Sequence, residues 1–381
     1  MTRRPLRVLV THPGASLYGS DRMVLEALRG MVSGEVDPVL ATTGEGALVD
    51  AARRAGVPVL RCPVPVLRKS ALSPRGLLGL AAASVAGVVR GARTIRRVRP
   101  DVVYVSTVTT PTWLLAARAS RVPVVCHVHE AESSASWPVR RALSAPLLLA
   151  GSLLVNSTFA GDLLAASWPR LRARTWLVPN GVAGPPAGPG ARRKGGGPAR
   201  LLYVGRLSER KGVLVALDAF DLLRATGVDV RLDLVGDVFA EHADFAERLR
   251  DRTRSLVASG HVVLHGFDED VWTHLRACDV LIVPSLLPEP FGNVAVEGVL
   301  AGRPVVASDT GGLPEALAGY RSARLVPPGD AESLAAGLRG VLAELDELTA
   351  AAAEDALVAA RRHAPQRYGE VLVQRVGDVL R

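Results

Sequence analysis

Two acids eight positions apart, Glu289 and Glu297, stand in the stretch DVLIVPSLLPEPFGNVAVEGVLAGRPVVASDTGGLPEAL, residues 279–317. The apolar run 280–283 reads as a buried strand and the Pro-containing loop after it carries Glu289. A short helix capped at Asn293 carries Glu297, and a second strand follows at 304–307. A strand–helix–strand unit of this kind implies a parallel sheet whose ligands lie outside the strands' C-terminal ends. The amides of Phe291 and Gly292 at the helix start suit a phosphate. Glu297, one turn into the helix, can accept two hydrogen bonds from a vicinal diol such as a ribose. Glu289 is left to face whatever the phosphates carry. Taken singly, each acid is equally well an ordinary surface acid at a solvated helix start.

Other strand ends carry further chemistry. Residues 200–205 (RLLYVG) form a strand that runs into RLSERKG, which places Arg206 and Lys211 at its C-terminal end. Lysine occurs three times in this arginine-rich chain, so Lys211 is conspicuous, although two solvated loop cations are the plainer reading. Gly236 and Gly266 end two later strands, and at Gly266 backbone can approach a nucleobase edge. The acidic triplet Asp268, Glu269 and Asp270 resembles a metal-binding cluster but precedes the helical segment VWTHL, where acids are favoured by the helix dipole.

Towards the N-terminus, residues 6–11 (LRVLVT) read as a strand followed by a turn containing Gly14 and Gly19, with Ser20 and Asp21 available to cap the next helix. In the strand 123–130 (PVVCHVHE), His127 and His129 alternate with apolar neighbours, so both face one side near the strand's end beside Glu130. A metal site would use this His-x-His pair, but no third ligand is near in sequence.

The elements that must position these residues divide by composition. Residues 1–183 hold a first series of strands and helices. Residues 184–199, GPPAGPGARRKGGGPA, have no capacity for a core and read as a linker beginning after Ala183. Residues 200–365 repeat the pattern, and 366–381 form a last helix. Up to Ala183 the chain carries 23 Lys+Arg against 10 Asp+Glu, net +13, and the remainder 23 against 27, net −4. A basic half suits an acidic partner such as anionic lipid or a phosphate-bearing substrate. Without a zinc finger, helix-turn-helix or aromatic RNA-binding motif, no nucleic acid partner is expected. The segment 76–89 is apolar but shorter than the ~18 residues that span a bilayer, and Arg90, Arg93, Arg96, Arg97 and Arg99 follow it. It reads first as a core helix with a solvated end, and second as a helix resting on an anionic membrane surface. Three widely spaced cysteines, Cys62, Cys126 and Cys278, read as buried free thiols in a reducing cytoplasm, and no signal peptide is evident.

The pattern E-P-F-G-x4-E followed by G-R-P-V-V-A-S-D-x-G-G-x-P-E resembles the retaining glycosyltransferases of the GT-B fold, in particular glycosyltransferase family 4. Gly205, Arg206, Leu207, Lys211 and Gly212 match the family's G-R-L-x3-K-G segment. The resemblance implies an α/β protein with two Rossmann-like domains facing each other across a cleft, the last helix crossing back onto the first domain. It implies transfer of a hexose-type sugar from a UDP- or GDP-sugar to a lipid-linked, polysaccharide or small-molecule acceptor, with no metal or other cofactor. Arg206 and Lys211 would then hold the diphosphate with Phe291, Gly292 and Gly19, Glu297 the ribose, and Glu289 and His129 the sugar, His127 and Glu130 in support. The family's paired glycines in the first loop are here Gly19 followed by Ser20. The expected location is cytoplasmic, with peripheral contact at the inner face of the membrane. A nucleotide-sugar epimerase and a non-catalytic nucleotide-sugar-binding protein share the fold and stay open, because fold does not fix function.

Overall fold

The computed structural model describes residues 4–16, 19–67, 74–130, 135–186, 188–190, 197–239 and 242–380, with backbone alone at 74–81. The chain forms two compact units, one of Met1–Gly181 with Pro365–Arg381 and one of Val182–Ala364. The first division therefore falls at Gly181, and the described residues of the expected linker belong to the second unit. Residues 187 and 191–196 of that linker lie outside the described residues.

The first unit has seven strands: β1 (Arg7–His12), β2 (Asp37–Thr42), β3 (Val59–Arg61), β4 (Val102–Val105), β5 (Val124–Val128), β6 (Ser152–Val155) and β7 (Thr175–Leu177). They pair in parallel in the order β3-β2-β1-β4-β5-β6-β7. Its helices are α1 (Gly19–Ser33), α2 (Ala47–Arg54), α3 (Pro74–Val98), α4 (Pro111–Ala119), α5 (Trp137–Ser144) and α6 (Thr158–Ser167).

The second unit repeats the plan with β8 (Ala199–Val204), β9 (Val230–Val235), β10 (Val262–Gly266), β11 (Val280–Val283), β12 (Val305–Ser308) and β13 (Ala323–Val326). These are also parallel, in the order β10-β9-β8-β11-β12-β13. Helices α7 (Val213–Ala225), α8 (Ala243–Ala258), α9 (Val271–Ala277), α10 (Asn293–Leu300), α11 (Leu313–Leu317), α12 (Ala331–Ala343) and α13 (Leu345–Arg362) complete it. The last helix, α14 (Pro365–Asp378), belongs to the first unit.

The apolar runs form parallel strands because both sheet faces are covered, so neither set of alternating side chains meets water. On β8, Leu201 and Tyr203 enter one core and Leu202 the other; on β11, Val280 and Ile282 part from Leu281 and Val283 in the same way. The first unit divides likewise, with Val8 and Val10 of β1 on one side of the sheet and Leu9 on the other. Helix α14 seats on α1 through a pair of glycines: a Cβ on Gly30 would lie 2.5 Å from the Cα of Gly369.

The segment read as apolar and then basic forms one helix, α3. Ala92, Ile95 and Val98 are buried, while Arg90, Arg93, Arg96 and Arg97 are exposed, so its C-terminal half packs on the core and keeps its charges in solvent. Among the described residues no helix is long and apolar enough to cross a membrane.

In both sheets the strand order reverses once, between β1 and β4 and between β8 and β11. Successive crossovers pass to opposite faces there, which opens a crevice at the strands' C-terminal ends.

Candidate functional site

At the β8–β11 reversal two glycines let loops converge. Gly236 has φ 136°, and a Cβ there would sit 1.9 Å from the carbonyl oxygen of Gly205. Gly212 has φ 73°, and a Cβ would sit 1.8 Å from the carbonyl oxygen of Pro284. Only glycine permits both that conformation and that approach. The consequence is local: the turn Glu209–Lys211 lies against the loop after β11, and the backbone amides of Leu286 and Leu287 donate to the carbonyl of Arg210 at 3.0 and 3.3 Å.

This contact brings Lys211 to Glu289, Nζ to Oε1, at 2.7 Å. The Ser285 hydroxyl donates to the same oxygen at 2.8 Å. Burial pushes the Glu289 carboxyl up, but the Lys211 ammonium and the bonds from Lys211 and Ser285 outweigh it, holding the group below the usual carboxylate range. The Glu289 backbone is fixed by the glycine pair expected after β12. Gly311 bridges it, with φ 63° and a would-be Cβ 2.4 Å from the Glu289 carbonyl oxygen, to which Gly312 donates its amide at 2.7 Å. Glu289 is therefore a buried, ionised, backbone-locked carboxylate whose partner is a lysine 30% exposed.

Helix α10 begins one residue earlier than expected: Gly292, with φ 109° and ψ 52°, is the cap, and Asn293 is the first helical residue. The left-handed backbone and the Leu313 side chain, 2.5 Å from a would-be Cβ, explain the glycine. Phe291 is buried in the core, its ring 5.7 Å from that of His363, so only its backbone can serve a ligand. Glu297 is buried on α10. Arg206 is exposed, with its guanidinium 3.7 Å from the centre of the Phe239 ring. That stacking orients a planar fork of donors suited to phosphate. Gly266 has φ 71° and accepts the Gly236 amide at 2.7 Å. Asp270 caps α9 by accepting from the amides of Trp272 and Thr273, and Asp268 pairs with His274 at 2.9 Å, so two acids of the triplet serve the helix start.

In the first unit the residues at the strand ends divide between packing and an open role. His127 and His129 share one side at the end of β5, their rings tilted by 35° with centroids 3.9 Å apart. His127, expected at the strand's open end, instead points into the core. It is wholly buried, with Nδ1 2.5 Å from the Tyr104 hydroxyl, and burial and then His129 hold it well below its usual pKa. His129 is pushed down to about 3 by burial and then by His12, so it is neutral at physiological pH, and its Nε2 has no partner among the described residues. Glu130 turns back to accept from the Thr107 hydroxyl and from the amides of Val108 and His129. Its carboxyl is raised by burial.

Asp21, expected as a helix cap, lies inside the first turn of α1 and meets His12 instead, Oδ1 to Nε2 at 2.7 Å; Ser20 likewise falls within the helix. The other nitrogen of His12 meets the Ser106 hydroxyl at 2.6 Å. Gly14 gives this pair room, since a Cβ would lie 2.8 Å from the Asp21 carboxylate. At Gly19 a Cβ would meet nothing within 4 Å. His12, Ser106 and Ser285 were not singled out from sequence. The available signal for His12 was its place at the end of β1, directly before the Gly-containing turn.

The architecture is that of the GT-B fold. HepE of Anabaena, in complex with UDP and glucose, superposes with a TM-score of 0.80 at 20% identity, covering 98% of this chain and 99% of that one. A glycosyltransferase from Rickettsia africae matches with a TM-score of 0.80 at 18% identity over 100% of both chains. Family models describe residues 18–181 as a glycosyl transferase 4-like domain and residues 190–356 as glycosyl transferases group 1. A phosphatidyl-myo-inositol mannosyltransferase of Mycolicibacterium smegmatis is 32% identical over 288 residues, 70% of each chain. A glycogen synthase of Mycobacterium tuberculosis is 33% identical over 268 residues, 65% of this chain and 62% of that protein. The chain belongs to the group 1 glycosyl transferases, a family of enzymes.

Proposed function

We propose that the protein transfers a hexose-type sugar from a UDP- or GDP-sugar to a lipid-linked, polysaccharide or small-molecule acceptor, with retention of anomeric configuration and without a metal. The observation that carries this reading is the Lys211–Glu289 pair at the switch point, beside the start of α10. Lys211 meets the donor diphosphate as a point charge and Arg206 as a planar fork. The amides at the start of α10 add a third positive pole. Glu297 accepts from the ribose hydroxyls. A diphosphate that draws Lys211 away frees Glu289 to accept from the sugar's hydroxyls, so donor binding itself arms the carboxylate.

In the reaction the bond from the anomeric carbon to the diphosphate oxygen breaks and the bond to the acceptor oxygen forms on the same face. The departing diphosphate takes the acceptor's proton. Charge builds on the diphosphate as that bond breaks, and preorganised cations stabilise it most at that point. His129, being neutral, can donate a hydrogen bond to a sugar hydroxyl without adding a charge. The exposed arginines of α3, with Val85 at 67% and Val89 at 42% exposure, support peripheral contact with an anionic membrane surface.

A panel of UDP- and GDP-sugars tests the reading by thermal stabilisation, which a bound donor raises through mass action. One nucleotide series should stabilise the protein, and labelled sugar from that series should pass to an acceptor in a lipid or polysaccharide extract in the presence of EDTA. Stabilisation by neither series overturns the proposal, and transfer abolished by EDTA and restored only by a divalent ion overturns its metal-free part.

A further inference from the structure

One oxygen of Glu289, Oε1, receives two donors, Lys211 Nζ at 2.7 Å and the Ser285 hydroxyl at 2.8 Å, and neither of them occupies Oε2. The two donors differ in what holds them. Lys211 is a long, partly exposed side chain. Ser285 is buried two residues beyond the end of β11, on backbone pinned from both sides. The Pro284 carbonyl lies against Gly212, and the Leu286 amide donates to the Arg210 carbonyl at 3.0 Å. The Glu289 backbone is clasped by Gly311 and Gly312. Both ends of the Ser285–Glu289 bond are therefore fixed, whereas the lysine can leave by rotating its flexible stem.

The other groups around the carboxylate do not replace the serine. Tyr203 of β8 is close, and burial and then the Glu289 charge push its hydroxyl up, but its proton is given to the Arg206 carbonyl at 2.8 Å. Arg210 acts on Glu289 through its charge, while its exposed guanidinium donates to the Pro288 carbonyl at 3.3 Å. Once Lys211 turns to a diphosphate, Ser285 is the remaining side-chain donor to Glu289 among the described residues. A buried carboxylate without a donor is costly, and it escapes that cost by taking a proton.

We propose that Ser285 is a positioning residue of the donor site: its hydroxyl holds the Glu289 carboxylate in place, by Oε1, when Lys211 has moved to the donor diphosphate. This rests on the donor reading given above. The serine acts through Glu289 and touches no substrate. Its bond keeps the carboxylate ionised during that exchange and leaves Oε2 for the sugar's hydroxyls.

Calorimetric titration of the whole protein with UDP and with GDP, in buffers of different ionisation heat, measures affinity and proton uptake together. Ionisation of the nucleotide's own phosphate is common to all variants and cancels in their difference. Ser285→Ala should bind the nucleotide about three- to tenfold more weakly at neutral pH, part of one charge-assisted bond. In the free protein the Glu289 carboxyl lies below its usual range; with Lys211 withdrawn and no serine, burial is opposed by Arg210 alone and the carboxyl rises. Ser285→Ala should therefore take up more protons on binding than the wild type at pH ~6. Ser285→Thr, which keeps the hydroxyl, should restore both values. A hydroxyl that merely staples the loop would alter stability and leave proton uptake unchanged. Where Ser285→Ala is unfolded by circular dichroism, Ser285→Cys, a weaker donor of nearly the same shape, decides in the same sense. Binding of neither nucleotide to the wild type overturns the donor reading and this inference with it. Equal affinity and proton uptake in the wild type and Ser285→Ala, or a folded Ser285→Thr that behaves as Ser285→Ala, overturns this inference alone.

Discussion

The exchange of Lys211 between Glu289 and a diphosphate makes a prediction with an unusual sign. In the free protein the Lys211 ammonium is 2.7 Å from the buried Glu289 carboxylate. A nucleoside diphosphate must take that ammonium from the carboxylate, so the binding measured is the difference between two charge-assisted contacts. Each is worth about 1.5–3 kcal/mol, less where water screens the exposed side of the lysine. Glu289→Gln weakens the contact that holds Lys211 back. The nucleoside diphosphate alone, lacking the sugar, should therefore bind several-fold more tightly to this variant, while transfer falls. Lys211→Ala acts in the opposite sense twice over. It removes the cation, and it leaves a buried carboxylate beside the incoming phosphates. Affinity should drop by about 1.5–3 kcal/mol, or ten- to a hundredfold. Without Lys211 burial is opposed only by the Ser285 bond and Arg210, so the Glu289 carboxyl should rise, and the residual affinity should improve as pH falls and the carboxylate is neutralised. The double variant Lys211→Ala/Glu289→Gln should recover part of the loss at neutral pH. Calorimetric titration with the nucleoside diphosphate across the four proteins measures the coupling directly. Weaker binding to Glu289→Gln than to the wild type, or equal binding to Lys211→Ala and the double variant, would refute the exchange.

Three other outcomes are expected. Gly212→Ala places a methyl group 1.8 Å from the Pro284 carbonyl oxygen at φ 73° and should cost at least ~2 kcal/mol of stability by chemical unfolding. A cost under half that figure would show that the turn yields easily. His129, held neutral by burial to about pH 3, should contribute no ionisation between pH 5 and 8; His129→Ala should lower kcat without changing the shape of the pH profile in that range, and a lost acidic limb would show that the imidazole titrates there. Vesicle flotation should require anionic lipid and weaken with salt if the arginines of α3 meet a membrane; substitution of Arg93, Arg96 and Arg97 by Gln should reduce it, and salt-insensitive binding would remove electrostatics as its basis.

Local pattern and tertiary structure made separate contributions to this protein. The strands were legible because each is a short apolar run ended by glycine, proline or a polar residue, and a doubly wound parallel sheet buries both faces of every central strand. The cations of the RLSERKG segment and the acids of the EPFGNVAVE segment were legible as a motif, since strand ends and helix starts are where parallel sheets expose chemistry. Their mutual distance was not. Lys211 and Glu289 belong to different crossovers, and only the close approach at Gly212 and the clasp of Gly311 and Gly312 bring them into contact. The same limit applied to the histidines. Strict alternation placed His127 and His129 on one side of β5, but the depth of the sheet put the first against Tyr104 in the core and left the second with a ring nitrogen that has no partner among the described residues. Asp21 reads locally as a cap because acids favour helix starts, yet a buried histidine from β1 claimed its carboxylate. Sequence periodicity determines which way a side chain faces; what it meets there depends on elements distant in the chain, and that was decided by the packing of the sheets.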